Sequence, residues 1–102
     1  MALKVKALRE ESTGRLRELL AETQDRLFRH KLRIASGEGV NPHEARSMRR
    51  DIARLKTLLR AVELVAERAG VNEAAARASL DSNGWDLKRA VAAAKAGAGA
   101  PQ

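Results

Sequence analysis

Cysteine and tyrosine are absent from this 102-residue chain, which holds one Phe and one Trp. Without cysteine there is no disulfide, no thiolate metal site and no Cys nucleophile, and the composition fits a reducing compartment. Large apolar side chains are scarce. Hydrophobic residues make up 44% of the chain, yet twenty of them are alanine. A chain this short buries a limited share of its surface, so modest intrinsic stability and ordering by a partner are expected. No apolar run approaches ~18 residues, so no membrane-spanning helix is expected, and no membrane is counted among the partners. The opening MALKVKALREE carries Lys4, Lys6 and Arg9 without a continuous apolar stretch, and does not read as a secretory signal.

Catalytic residue types are equally thin. His30 and His43 are the only histidines and flank one loop, but a metal site needs more ligands than they supply. The serines lack an arranged His and acid. The GEG at 37–39 follows no strand and precedes no Gly-Lys-Ser/Thr, so it is no phosphate-binding loop. An enzyme, a cofactor and a bound metal are all unexpected.

What remains is helix-forming and basic. Ala, Leu, Arg, Glu and Lys dominate, and no strand-like alternation occurs. Residues 3–10 suit a short helical turn. Ser12 suits the N-cap of a long helix whose stripe reads Leu16, Leu19, Leu20, Thr23, Leu27, Ile34, with His30 half-buried beside it. Gly37 should end that helix. Asn41, Pro42 and Glu44 stand at the N-cap, N1 and N3 positions of a second helix, as in a capping box. Its stripe is Ala45, Met48, Ile52, Leu55, Leu59, Val62, Ala66, at alternating steps of three and four. Two such helices across a short loop predict an antiparallel hairpin. Gly70 closes the second helix. Asn72 then caps a helix over 73–82, Asn83-Gly84 turns, and Asp86 caps a last helix to about Lys95. The fold class is therefore all-α. A hairpin with a short N-terminal turn is expected over 1–62, a small helical extension over 63–96 and a disordered tail over 97–102.

The net charge is +7. Such an excess favours polyanionic partners, nucleic acid before membrane. Between residues 26 and 60, ten Lys and Arg oppose only Glu38, Glu44 and Asp51, while charge beyond Val71 is nearly balanced. On a helical wheel Arg46, Arg50 and Arg54 fall away from the second helix's stripe, and Arg49, Lys56 and Arg60 share one flank. Ala53 and Thr57 are small residues on that outer face. Eight of the ten cations are Arg, whose planar fork suits phosphate. On the first helix, Phe28 and Leu32 lie one turn apart, opposite the stripe. That placement suggests a protein-partner surface, or packing of Phe28 under the N-terminal segment.

These stretches resemble a known family. KALREES at 6–12, RLRELL at 15–20, LF at 27–28, ASG at 35–37, NP at 41–42 and above all MRRDIARLKTLL at 48–59 are similar to the universal large-subunit ribosomal protein L29 family. The resemblance covers residues 4–62. It implies an antiparallel helical hairpin on large-subunit rRNA near the polypeptide exit tunnel, beside ribosomal protein L23. Nascent-chain chaperones or targeting factors dock at that site. Carried over, Lys31, Arg49, Arg50, Arg54 and Thr57 are the implied RNA contacts, joined by Arg46 and Arg60 from the charge map. Phe28 is the implied partner contact. Gly14, Arg15 and His30 depart from the family pattern, the first two weakening the start of the first helix. Residues 62–95, VELVAERAGVNEAAARASLDSNGWDLKRAVAAAK, resemble a UBA-like module close to the N-terminal module of elongation factor Ts. That likeness implies that Trp85 packs around Val65, Ala78 and Val91. The resemblance as a whole implies a bacterial cytoplasmic ribosome rather than an organellar one. The alternative function is a free helical-hairpin adaptor that pairs through its coiled-coil seam.

Overall fold

The computed structural model describes residues 4–99, with side chains to residue 97. All regular structure among the described residues is helical: α1 (Val5–Leu8), α2 (Thr13–Ala35), α3 (Pro42–Ala69), α4 (Glu73–Ser82) and α5 (Leu87–Gly99). The chain forms two compact units, Met1–Thr57 and Leu58–Gln102, so the division falls inside α3 rather than at a loop.

In the first unit, Ser12 caps α2 by accepting from the Arg15 amide at 3.1 Å. No acidic residue occupies the first turn of α2, but Arg15 ties it together through Glu18 at 3.1 Å and Glu22 at 3.5 Å. At the other end Gly37 takes φ +83, a left-handed conformation that glycine adopts without steric penalty. There the Glu38 amide donates to Arg33 O at 3.0 Å, and the Gly37 amide to Ile34 O at 3.0 Å. The α3 cap is not the reciprocal box expected. Asn41 Oδ1 accepts from the His43 amide at 2.9 Å, while Glu44 directs its carboxylate to His30 Nδ1 at 3.6 Å on α2. A tertiary partner has replaced the local one.

His30 faces Glu44, and two turns earlier on α2 Thr23 shares a cavity with Asp51, further along α3. The two helices are thus antiparallel. Leu8, Leu16 and Leu55 are buried. Two corrections to the stripes follow. Ile34 is 52% exposed, because α2 reaches its last turn there, and His30 is 3% exposed rather than half-buried. On α3 the most buried positions are Asp51, Leu55, Leu58, Val62 and Val65, whereas Ile52, Leu59 and Ala66 are only partly buried. The true stripe is rotated by about one residue from its expected line.

The second unit is packed from small parts. Val62 and Val65 of α3, Ala76 and Leu80 of α4, and Ala90 and Ala94 of α5 form its core, with Val71, Trp85, Leu87 and Val91 against it. Ala78 is exposed, so it is not part of the Trp85 environment expected from the sequence. Asn72 caps α4 by accepting from the Ala75 amide at 2.8 Å, and Asp86 caps α5 by accepting from the Arg89 amide at 3.1 Å. Between them Gly84 (φ +61) and Trp85 (φ +63) are both left-handed. That conformation is uncommon for a bulky residue. Trp85 is held in it by a bond from its indole N–H to Asp81 Oδ1 at 3.1 Å, by Arg77 at 5.0 Å from its ring centroid, and by the core. Helix α5 continues past Lys95 to Gly99, into the segment expected as a tail; residues 100–102 lie outside the described residues.

Candidate nucleic-acid interface

The basic side chains fall into two groups once their partners are counted. Lys31 on α2 and Arg46, Arg49, Arg50 and Lys56 on α3 are exposed, and none makes an ion pair with another described residue. These are cations ready for an external anion. Arg54 is only partly exposed and lies 3.9 Å from Asp51, a carboxylate that is itself 5% exposed. Burial of Asp51 is compensated by that cation, so Arg54 has a structural task. Arg60 belongs to the second unit and pairs with Glu63 at 3.2 Å. Thr57 donates its hydroxyl proton to Ala53 O at 2.8 Å. Its oxygen keeps its acceptor capacity, and donation to phosphate requires turning the hydroxyl proton away from Ala53 O.

Two of the hairpin's clefts differ in character, and a third is lined by Arg26, Arg29 and Arg33 together with His30, Glu44 and Met48. One, of about 350 Å³, includes Glu44 and Asp51 among its lining, together with Thr23, Asn41 and His43. Arg26 lines it as well, so its charge is mixed. The other, of about 310 Å³, has Leu27, Phe28 and Ile52 as its apolar part. Lys31, Arg49 and Lys56 surround that part, Gln24 completes the lining, and no acid takes part. Sequence reasoning placed Lys31 and Arg49 on separate helices. It did not join them, and it omitted Lys56 and Gln24 from the site. Their convergence depends on the register between α2 and α3, which no single-helix wheel contains. Phe28 is 59% exposed and Leu32 51% exposed. The described part of the N-terminal segment thus leaves Phe28 largely open, and only Phe28 of the two lines the cationic cleft.

His30 carries a further oddity. Its Nδ1 faces Glu44, but its buried Nε2 has no hydrogen-bond partner among the described residues. Among the described residues no group of three or more His, Cys, Asp or Glu is placed to hold a metal ion, and no helix is long and apolar enough to cross a membrane.

A helical hairpin with exposed cations on both α2 and α3 fits the class of polyanion-binding proteins. Comparison with known proteins makes this specific. The family described as Ribosomal L29 protein matches residues 6–61, more than half of the chain, and the chain belongs to that family. The chain is similar to the large ribosomal subunit protein uL29 of Desulforudis audaxviator, 48% identical over 62 residues that cover 61% of this chain and 92% of the relative. Against the same protein of Carboxydothermus hydrogenoformans it is 38% identical over 66 residues, covering 65% and 96%. Against that of Alkaliphilus oremlandii it is 39% identical over 67 residues, covering 66% and 100%. No solved structure matched the chain. The family is one of ribosomal structural proteins, not enzymes. The matched region ends at residue 61, so most of the second unit lies beyond it.

Proposed function

We propose that the chain is a structural constituent of the large ribosomal subunit in a bacterial cytoplasm, binding rRNA near the polypeptide exit tunnel through the basic face of α3 and the adjoining Lys31. The observation that carries this reading is the set of exposed, unpaired cations Lys31, Arg46, Arg49, Arg50 and Lys56 within one unit of a ribosomal-family hairpin. Released counterions are the main source of affinity in such an interface. Arg54 contributes to it while also neutralising Asp51, and Thr57 and Arg60 join after releasing Ala53 O and Glu63. Leu32, exposed on α2, is the surface offered to a neighbouring protein, with L23 as that neighbour and exit-site chaperones or targeting factors as later visitors.

Filter binding of large-subunit rRNA across a salt series tests the reading. Arg50→Ala lowers the log–log salt slope by roughly 0.7 to 0.9, the effect of one lost phosphate contact. Arg54→Ala lowers it similarly and also lowers the melting temperature, since a buried carboxylate loses its cation. Unchanged slopes in both variants would remove the α3 face from the interface.

A further inference from the structure

The cationic cleft between α2 and α3 has features that a phosphate backbone alone does not require. Leu27, Phe28 and Ile52 give it apolar area, and Phe28 is the only aromatic residue of the first unit, 59% exposed. A fully paired RNA helix keeps its bases stacked inside and shows a protein its phosphates and 2′-hydroxyls. Such a surface has no use for an exposed phenyl ring set between cations. An unpaired nucleotide does. It brings a planar face that stacks on an aromatic ring, flanking phosphates that need cations, and a hydrogen-bonding edge.

We propose that this cleft takes one unpaired nucleotide of a structured RNA. Its base lies on Phe28, its flanking phosphates lie on Lys31, Arg49 and Lys56, and the Gln24 amide is available to the base edge. The inference rests on the rRNA-binding reading above and specifies what kind of RNA element the hairpin selects. Charge decides against a protein occupant. Three unpaired cations and no acid line the cleft, so a polyanion is the complement. Size agrees: a cleft of about 310 Å³ is at the small end of the roughly 300–1,000 Å³ range of small-ligand sites. Leu32, the other exposed apolar residue one turn along, does not line it. The outward pair is therefore split, Phe28 toward RNA and Leu32 toward protein.

The test uses the full chain and two RNA probes, a fully paired duplex and the same duplex carrying one bulged 2-aminopurine. Fluorescence anisotropy gives both affinities, and 2-aminopurine emission reports stacking. The wild-type chain binds the bulged probe more tightly and changes its emission. Phe28→Leu, which keeps an apolar side chain at an exposed position, reduces affinity for the bulged probe by about tenfold and leaves the duplex within about twofold. Phe28→Trp preserves the preference. A wild-type chain without preference for the bulge, or a Phe28→Leu variant that retains it, overturns the proposal. In that case duplex binding that Arg50→Ala weakens leaves the rRNA reading standing, whereas failure to bind either probe removes both. A Phe28→Leu variant that keeps both RNA affinities but loses its cross-link to a neighbouring ribosomal protein overturns the proposal in favour of a protein contact.

Discussion

The two units of the chain solve the problem of folding with few large side chains in different ways. The first, Met1–Thr57, carries fourteen Lys and Arg against eight Asp and Glu, net +6. Its helices leave Phe28, Leu32 and Ile34 exposed and bury polar groups at Thr23, His30 and Asp51. The second, Leu58–Gln102, carries six against five, net +1, and is packed around Ala76, Ala90 and Ala94 with Val62, Val65 and Leu80. Net charge destabilises a compact state by self-repulsion, and a polyanion relieves it. On the proposed reading, rRNA supplies that relief to the first unit. The second satisfies itself: alanines let helices approach closely, and caps at Asn72 and Asp86 close the helix starts. On the proposed reading, most of the binding face and the self-contained core fall to two different stretches of one chain.

The sharpest way to break this contrast is at Leu80, the one leucine among the buried residues of a core otherwise made of alanine and valine. Leu80→Ala is expected to cost about 3 kcal/mol, within the roughly 2–5 kcal/mol range for buried leucine, because alanine neighbours have no flexible side chain to refill the gap. Trp85 is the only tryptophan, so its emission follows the second unit alone. A red-shifted emission with the α2 amides still protected from hydrogen exchange is expected. Simultaneous loss of both signals would mean that α3 couples the units into one cooperative fold.

A smaller effect, of opposite sign, is expected in the first unit. His30 buries an Nε2 without a partner, at a desolvation cost of about 1–3 kcal/mol. His30→Leu removes that atom and releases Glu44, which is largely exposed, to water. The variant is expected to be more stable by about 1 kcal/mol in urea unfolding. A less stable variant would show that the pair with Glu44 outweighs the orphaned nitrogen.

Asn72→Ala comes next. It deletes the oxygen that accepts the Ala75 amide and is expected to cost about 1 kcal/mol, read again through Trp85 emission in urea. The smallest effect expected is none. Lys88 and Arg89 are exposed cations of the second unit. Their double replacement by alanine should leave the rRNA salt slope unchanged, where Arg49→Ala with Arg50→Ala lowers it by about 1.4 to 1.8. An equal drop in both pairs would extend the interface beyond Arg60 to α5 of the second unit.

Helix starts and stops were legible because capping is a local matter. Ser12, Asn72, Asp86, Gly37 and Gly70 act where their types and positions indicated, each through hydrogen bonds within a few residues. The capping box at Asn41 was not, since Glu44 had a longer-range choice in His30. The extent of α5 was misjudged for a related reason: Gly and Ala after Lys95 read as a tail, but helix there needs only a continuing backbone ladder.

The residues by themselves determined that this chain is helical, basic in one stretch and without catalytic equipment. Those properties follow from side-chain chemistry, propensity and spacing along a single helix. Tertiary structure decided which turn of α3 is buried, drawing Asp51 and Leu58 inward and leaving Ile52 at the edge of a cleft. It also decided that Lys31, Arg49 and Lys56 share that cleft with Phe28, and that Arg54 answers to Asp51 first. A helical wheel fixes angles about one axis only. The rotation and register of α2 against α3 are set by how their side chains interlock, and these alone determine which charges remain free to meet a phosphate.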